Sequence, residues 1–93
     1  MDPGALALLV DIIDAGNLSE AARRLKMTRA NVSYHLSQLE RSVGLQLVRR
    51  TTRRLEPTDA GLRLYQHGLG IQNEMEAARE SITALGQSLQ GRV

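Results

Sequence analysis

The chain has 93 residues, with no Cys, Trp or Phe, two Tyr, two Pro and a formal net charge of +2. That length fits one small domain and excludes a large catalytic fold, while the missing cysteines exclude disulfides, a thiolate nucleophile and a Cys-based zinc site. The small net charge hides an asymmetry: residues 1–18 carry Asp2, Asp11 and Asp14 and no cation, whereas residues 19–54 hold nine cations against Glu20 and Glu40.

His35 and His67 lie far apart, so no metal or cofactor is expected. Apolar runs such as Ala5 to Val10 are too short for a membrane span or a secretory signal, and a soluble intracellular protein with no membrane partner is expected. So short a chain buries about two-thirds or less of its unfolded surface, which makes a partner subunit an expected source of stability.

Leu6, Leu9, Val10 and Ile13 recur at helical spacing and predict an amphipathic helix over about residues 4–15, ended by Gly16. Ser19 is the expected cap of a second helix that runs to about Lys26, with Glu20 at the positive end of its dipole and Ala21, Ala22 and Leu25 facing inward. Two of those three are small, which allows another helix to cross closely. Thr28 then caps a third helix carrying Val32, Leu36, Leu39 and Val43 on its inner side and stopped by Gly44. Two helices joined by so short a turn form a helix-turn-helix. The outer face of the third, with Arg29, Asn31, Ser33, Tyr34, His35, Ser37 and Gln38, is rich in hydrogen-bonding side chains and has the look of a reading edge.

From Leu45 to Pro57 the helical period fails. Leu47, Val48 and Leu55 flank Arg49-Arg50-Thr51-Thr52-Arg53-Arg54, which predicts two very short strands around a basic tip, a wing. Pro57-Thr58-Asp59-Ala60 starts a fourth helix with Thr58 as its cap. Leu64, Gly68, Ile71, Met75, Ala78, Ile82, Leu85 and Leu89 then follow an unbroken heptad seam. A helix of about 30 residues would reach roughly 45 Å, further than a thin three-helix core can cover, so these eight residues are the expected dimerisation seam of a homodimer. The stretch from Gly86 to Val93 is expected to fray.

The expected architecture is mainly α: residues 1–57 a winged helix-turn-helix of three helices and a two-stranded wing, residues 58–93 a long linker and dimerisation helix. Eleven of the twelve cations are Arg, whose planar fork suits phosphate oxygens and guanine edges. Charge alone fits a solvated helix face equally well. Two functions are weighed: binding of double-stranded DNA, and a protein-interaction module that meets an acidic partner. An enzyme is not expected, because no Ser/His/Asp set, phosphate-cradling glycine loop or metal spacing occurs and Glu74 and Glu76 fall on different sides of a helix.

The ordered series Ala21-Ala22-Arg23-Arg24-Leu25, Thr28-Arg29-Ala30-Asn31-Val32-Ser33, Leu36, Gln38-Leu39-Glu40, Gly44, Gln46-Leu47, Arg50-Thr51, Arg54 and Thr58-Asp59-Ala60-Gly61 resembles the N-terminal DNA-binding domain of LysR-type transcriptional regulators. The resemblance covers about residues 4–90. It implies a bacterial, cytoplasmic, nucleoid-associated regulator whose linker helix pairs with its twin, with higher oligomers in the intact protein. It also implies an effector-binding domain, absent from this chain, that would carry any small-molecule site. The family's usual aromatic positions hold Leu9 or Val10, Leu18 and Val48 here, and Arg29 and Ala30 replace the customary Gln and Pro at the start of the recognition helix. Base preference should change accordingly.

With the third helix entering the major groove by its N-terminal end, Arg29, Ala30, Asn31 and Tyr34 are the expected base contacts, Arg29 by two bonds to guanine O6 and N7. Thr28, Ser33, Arg50, Thr51, Thr52, Arg53 and Arg54 are the expected contacts to the backbone or minor groove, with Arg53 the minor-groove candidate.

Overall fold

The computed structural model describes residues 1–51 and 53–89. Four helices and one hairpin follow in the order α1 (Pro3–Ala15), α2 (Leu18–Leu25), α3 (Arg29–Val43), β1 (Val48–Arg50), β2 (Leu55–Pro57) and α4 (Asp59–Leu89). The mainly helical winged architecture read from the sequence is the architecture found.

Local chemistry explains most boundaries. Gly16 and Gly44 adopt left-handed backbone at φ 83° and 77°, closing α1 and α3 with their own N–H groups on Ile12 and Glu40 carbonyls. Thr28 caps α3 by accepting the Asn31 N–H at 3.1 Å, and Thr58 caps α4 by accepting the Gly61 N–H at 3.1 Å. The cap of α2 differs from the expectation. Asn17, not Ser19, holds the extended capping backbone, and its side-chain oxygen accepts the Glu20 N–H at 2.7 Å. Ser19 therefore lies inside the helix. Lys26 takes left-handed backbone at φ 56° in the turn to α3, where the Met27 N–H returns to the Ala22 carbonyl at 3.0 Å.

The core sits where α1, α2, α3 and the hairpin converge. Leu9, Ile12, Ala21, Val32, Leu36 and Leu47 are fully covered, and Val48 and Leu55 close it from the wing side. Ile12, rather than Ile13, completes the buried stripe of α1, with Ile13 half-buried beside it. The wing is a two-stranded antiparallel hairpin in which Val48 faces Pro57 and Arg50 faces Leu55. It is anchored to the helices by the Leu55 N–H, which donates to the Gly16 carbonyl at 2.8 Å.

Three residues fix where β1 starts. One Glu40 carboxylate oxygen accepts the Leu47 N–H at 2.7 Å and the Val48 N–H at 3.3 Å. The Thr58 hydroxyl donates to the Gln46 carbonyl at 2.7 Å while its N–H donates to the Leu47 carbonyl at 3.0 Å. Gly61 completes the contact, since any Cβ there would overlap the Leu47 carbonyl oxygen and stand 3.0 Å from its carbon.

The long helix serves two environments, and this corrects part of the expected seam. Its first turns pack on α1: Leu64 is half-buried against the core, Gly68 is buried, and a Cβ at Gly68 would lie 2.6 Å from Val10 Cγ2 and 3.3 Å from the Leu6 carbonyl oxygen. Leu64 and Gly68 are thus taken up inside the chain. The Tyr65 hydroxyl donates to Asp14 at 2.6 Å, a bond to a carboxylate that raises the Tyr65 pKa and fastens α4 to the end of α1. Beyond this point the helix projects, giving a longest dimension of 56 Å against 25 and 18 Å. Helix continues through Gly86 to Leu89, contrary to the expected fraying there, and Gln90 to Val93 lie outside the described residues.

Gly61→Ala should lose about 1–3 kcal/mol of stability through overpacking, even though alanine favours a helix by about 1 kcal/mol. Gly70→Ala, with nothing within 4 Å of the new carbon, should instead be neutral or gain up to about 1 kcal/mol. Urea unfolding of the two variants checks this, and equal effects would contradict the close approach at Leu47.

Candidate nucleic-acid interface

The turn at Lys26 brings the start of α3 to the surface beside the wing. Thr28, Arg29, Ala30, Asn31 and Tyr34 are all exposed, but Tyr34 lines a separate concavity with Ala5 and Leu8 of α1 and not the wing side. Arg29 lines one concavity of about 360 Å³ together with Arg50, Arg53 and Arg54 from the wing and Asn17 and Ser19 from the start of α2. Among the described residues no carboxylate lines it. Sequence-distant arginines therefore converge on one side of the molecule and concentrate positive potential there.

Not every cation of the basic segment is equally available. Glu20 hydrogen-bonds both Arg23 and Arg24, the latter at 3.0 Å, so two arginines of α2 share one carboxylate within the helix and one net positive charge remains there. Among the described residues the other ion pair is Glu76–Arg79 on α4, and Arg29, Arg41, Arg49, Arg50, Arg53 and Arg54 make none. The spacing of Asn17 and Glu20 is a capping-box pattern that would have located the cap, but the Glu20 side chain turns to the arginines instead of back to the cap.

Several expected contacts have a second occupation. Thr51 organises the wing tip: its hydroxyl donates to the Arg54 carbonyl at 3.0 Å and accepts the Arg54 N–H at 3.1 Å. Ser33 is half-buried and accepts a hydrogen bond from Arg50 Nη2 at 2.9 Å. On the exposed face of α3, Gln38 donates to the Tyr34 hydroxyl at 2.9 Å, and the Tyr34 ring meets His35 edge to face at 5.4 Å. Thr52 lies outside the described residues. Glu40, which carries no expected binding role, is the residue that positions the wing relative to α3. Among the described residues no group of His, Asp or Glu is placed to hold a metal, and no helix is long and apolar enough to cross a membrane.

A solvent-facing helix that follows a tight turn and is flanked by an arginine-bearing hairpin defines a winged helix-turn-helix. The model of bacterial regulatory helix-turn-helix proteins of the lysR family matches residues 3–62. Over 81 residues the chain is 44% identical to the probable HTH-type transcriptional regulator LtrA of Klebsiella pneumoniae, covering 87% of this chain and 25% of that protein. Over 88 residues it is 38% identical to the nitrogen assimilation regulatory protein nac of Escherichia coli, covering 95% of this chain and 29% of that protein. Among solved structures, the full-length LTTR LysG from Corynebacterium glutamicum superposes with a TM-score of 0.87 at 28% identity, over 95% of this chain and 30% of that one. The BenM DBD in its complex with benA site 1 DNA shares the fold, with a TM-score of 0.84 at 21% identity over 92% of this chain and 97% of that one. The chain belongs to the lysR family of regulatory helix-turn-helix proteins and is a winged helix-turn-helix DNA-binding domain of a LysR-type transcriptional regulator. It spans about a quarter to a third of the length of the curated relatives it matches.

The arginine bonds to Glu20, that of Arg23 first, hold its carboxyl at about 2, down from an ordinary 4.5. A carboxyl depressed on folding contributes stability above its unfolded pKa, and that contribution is lost as the pH falls through the folded value. Glu20→Gln should therefore melt below the parent at pH 7, with the difference closing as the pH approaches 2. A difference that widened on acidification would contradict the assignment.

Proposed function

We propose that this chain binds double-stranded DNA sequence-specifically as a homodimer, with α3 in the major groove and the wing on the flanking backbone or minor groove. The observation that carries the reading is the convergence of Arg29 with the wing arginines on one concavity that, among the described residues, no carboxylate lines. Family membership and relatives named as transcriptional regulators support regulation of transcription. Nothing observed favours the acidic-protein reading.

Within this proposal Arg29, Ala30, Asn31 and Tyr34 read bases. Arg29 supplies the strongest specificity, since a guanidinium makes two bonds to a guanine edge. Arg53 and Arg54, exposed at the wing, add affinity that depends little on sequence. Thr28, Ser33, Arg50, Thr51 and Thr52 complete the backbone contacts.

The dimer forms through the projecting part of α4, by Ile71, Met75, Ala78, Ile82, Leu85 and Leu89. Met75, Ile82 and Leu89 are 56%, 67% and 77% exposed in the single chain, and such a stripe at heptad spacing calls for a second helix. The regulator acts in the bacterial cytoplasm on nucleoid DNA and uses no cofactor in this domain. The additional length of the relatives is where a small-molecule effector would be sensed and where higher oligomers would form.

Titration of labelled duplexes by fluorescence anisotropy tests the proposal. With about six phosphates neutralised per dimer, log affinity should fall against log salt with a slope near about −5. Arg29→Ala should cost about 1–3 kcal/mol at one base position, whereas Arg53→Ala should weaken all sequences alike. A response indifferent to salt, or identical losses for both variants on every sequence, would overturn the assignments.

A further inference from the structure

Ser33 lies on the second turn of α3 and Arg50 ends β1, seventeen residues later. Among the described residues, theirs is the side-chain to side-chain hydrogen bond that joins the recognition helix to the wing, with Arg50 Nη2 donating to Ser33 Oγ at 2.9 Å. The bond leaves both partners with donors to spare. A serine hydroxyl that accepts through a lone pair keeps its own proton, and a guanidinium has five N–H groups of which Ser33 takes one. Arg50 is exposed, makes no ion pair among the described residues, and shares its concavity with Arg29, Arg53 and Arg54.

The juxtaposition presents an O–H donor and a charged N–H fork side by side, at a spacing that lets them meet the two free oxygens of one phosphodiester. A cation alone would grip a phosphate anywhere along the wing. A cation fixed to a hydroxyl on the base-reading helix grips it at one place. We propose that Ser33 and Arg50 form one composite seat for a single DNA backbone phosphate at the junction of α3 and the wing. Filling the seat ties one phosphate to both the helix that reads bases and the hairpin that holds the flank, so the two residues act together rather than as separate phosphate contacts. The inference rests on the DNA-binding reading above.

The test uses a duplex enriched by the protein from a random-sequence pool. Ser33→Ala, Arg50→Ala and the double variant are titrated against it, with Ser33→Thr, which keeps the hydroxyl, as the rescue. Each single alanine should weaken binding about tenfold, as expected for a hydrogen bond to a charged group, and the double variant should be no weaker than the worse single. Ser33→Thr should bind like the parent. Replacing phosphates one at a time by neutral methylphosphonates should reveal one position per half-site whose loss weakens the parent to the same degree and abolishes the further effect of either alanine. Losses that multiply in the double variant, or that map to different phosphates, would overturn the shared seat while leaving duplex binding intact. A parent that binds no duplex would overturn the DNA-binding reading and this inference with it.

Discussion

The arrangement of the reading surface depends on how three consecutive residues, Gln46, Leu47 and Val48, are held. Glu40 takes the N–H groups of Leu47 and Val48 from the side of α3, and Thr58 takes the carbonyls of Gln46 and Leu47 from the side of α4. A backbone segment that would otherwise leave polar groups unsatisfied beside the core is thus closed from both directions. Because Glu40 sits on the same helix as Arg29 and Ser33, its carboxylate fixes the origin of the wing in the frame of the recognition helix. The wing arginines inherit their position from this clamp.

The long helix extends the same constraint outward. Gly61 lets its first turn approach the Leu47 carbonyl, and Gly68 lets it cross α1 at close range. The Tyr65–Asp14 bond adds a polar tie at the same contact. With its base fixed in this way, the projecting half of α4 carries its apolar stripe in a defined direction relative to α3. Two chains joined along that stripe would hold their recognition helices at a set separation, which a palindromic duplex requires.

Much of this was legible in the sequence because the signals are local. Thr28, Thr58, Gly16 and Gly44 announce helix ends by side-chain chemistry or backbone freedom within a few residues of where they act. The exposed polar face of α3 follows from the apolar spacing of Val32, Leu36 and Leu39, which fixes the face left to solvent. What escaped depends on contacts between distant parts. The heptad spacing of α4 locates a stripe but cannot say who covers it, and α1 covers Leu64 and Gly68. Glu40, the Ser33–Arg50 bond and the sharing of Glu20 by Arg23 and Arg24 depend on side-chain direction, which neither spacing nor charge counting reports. The cap at Asn17 is a different case, since the Asn17–Glu20 spacing is itself a local signal and the Ser19 hydroxyl two residues on offers a competing one.

The central claim is that α3 and the wing act as one rigid reader and that α4 presents two such readers to one duplex. Methylation protection combined with hydroxyl-radical footprinting on a selected duplex examines it most directly. The account predicts guanine N7 protection in two major-groove segments separated by about one helical turn or a multiple of it, each bordered by backbone protection on one side. A single protected segment, or backbone protection with every guanine N7 left reactive, would contradict it.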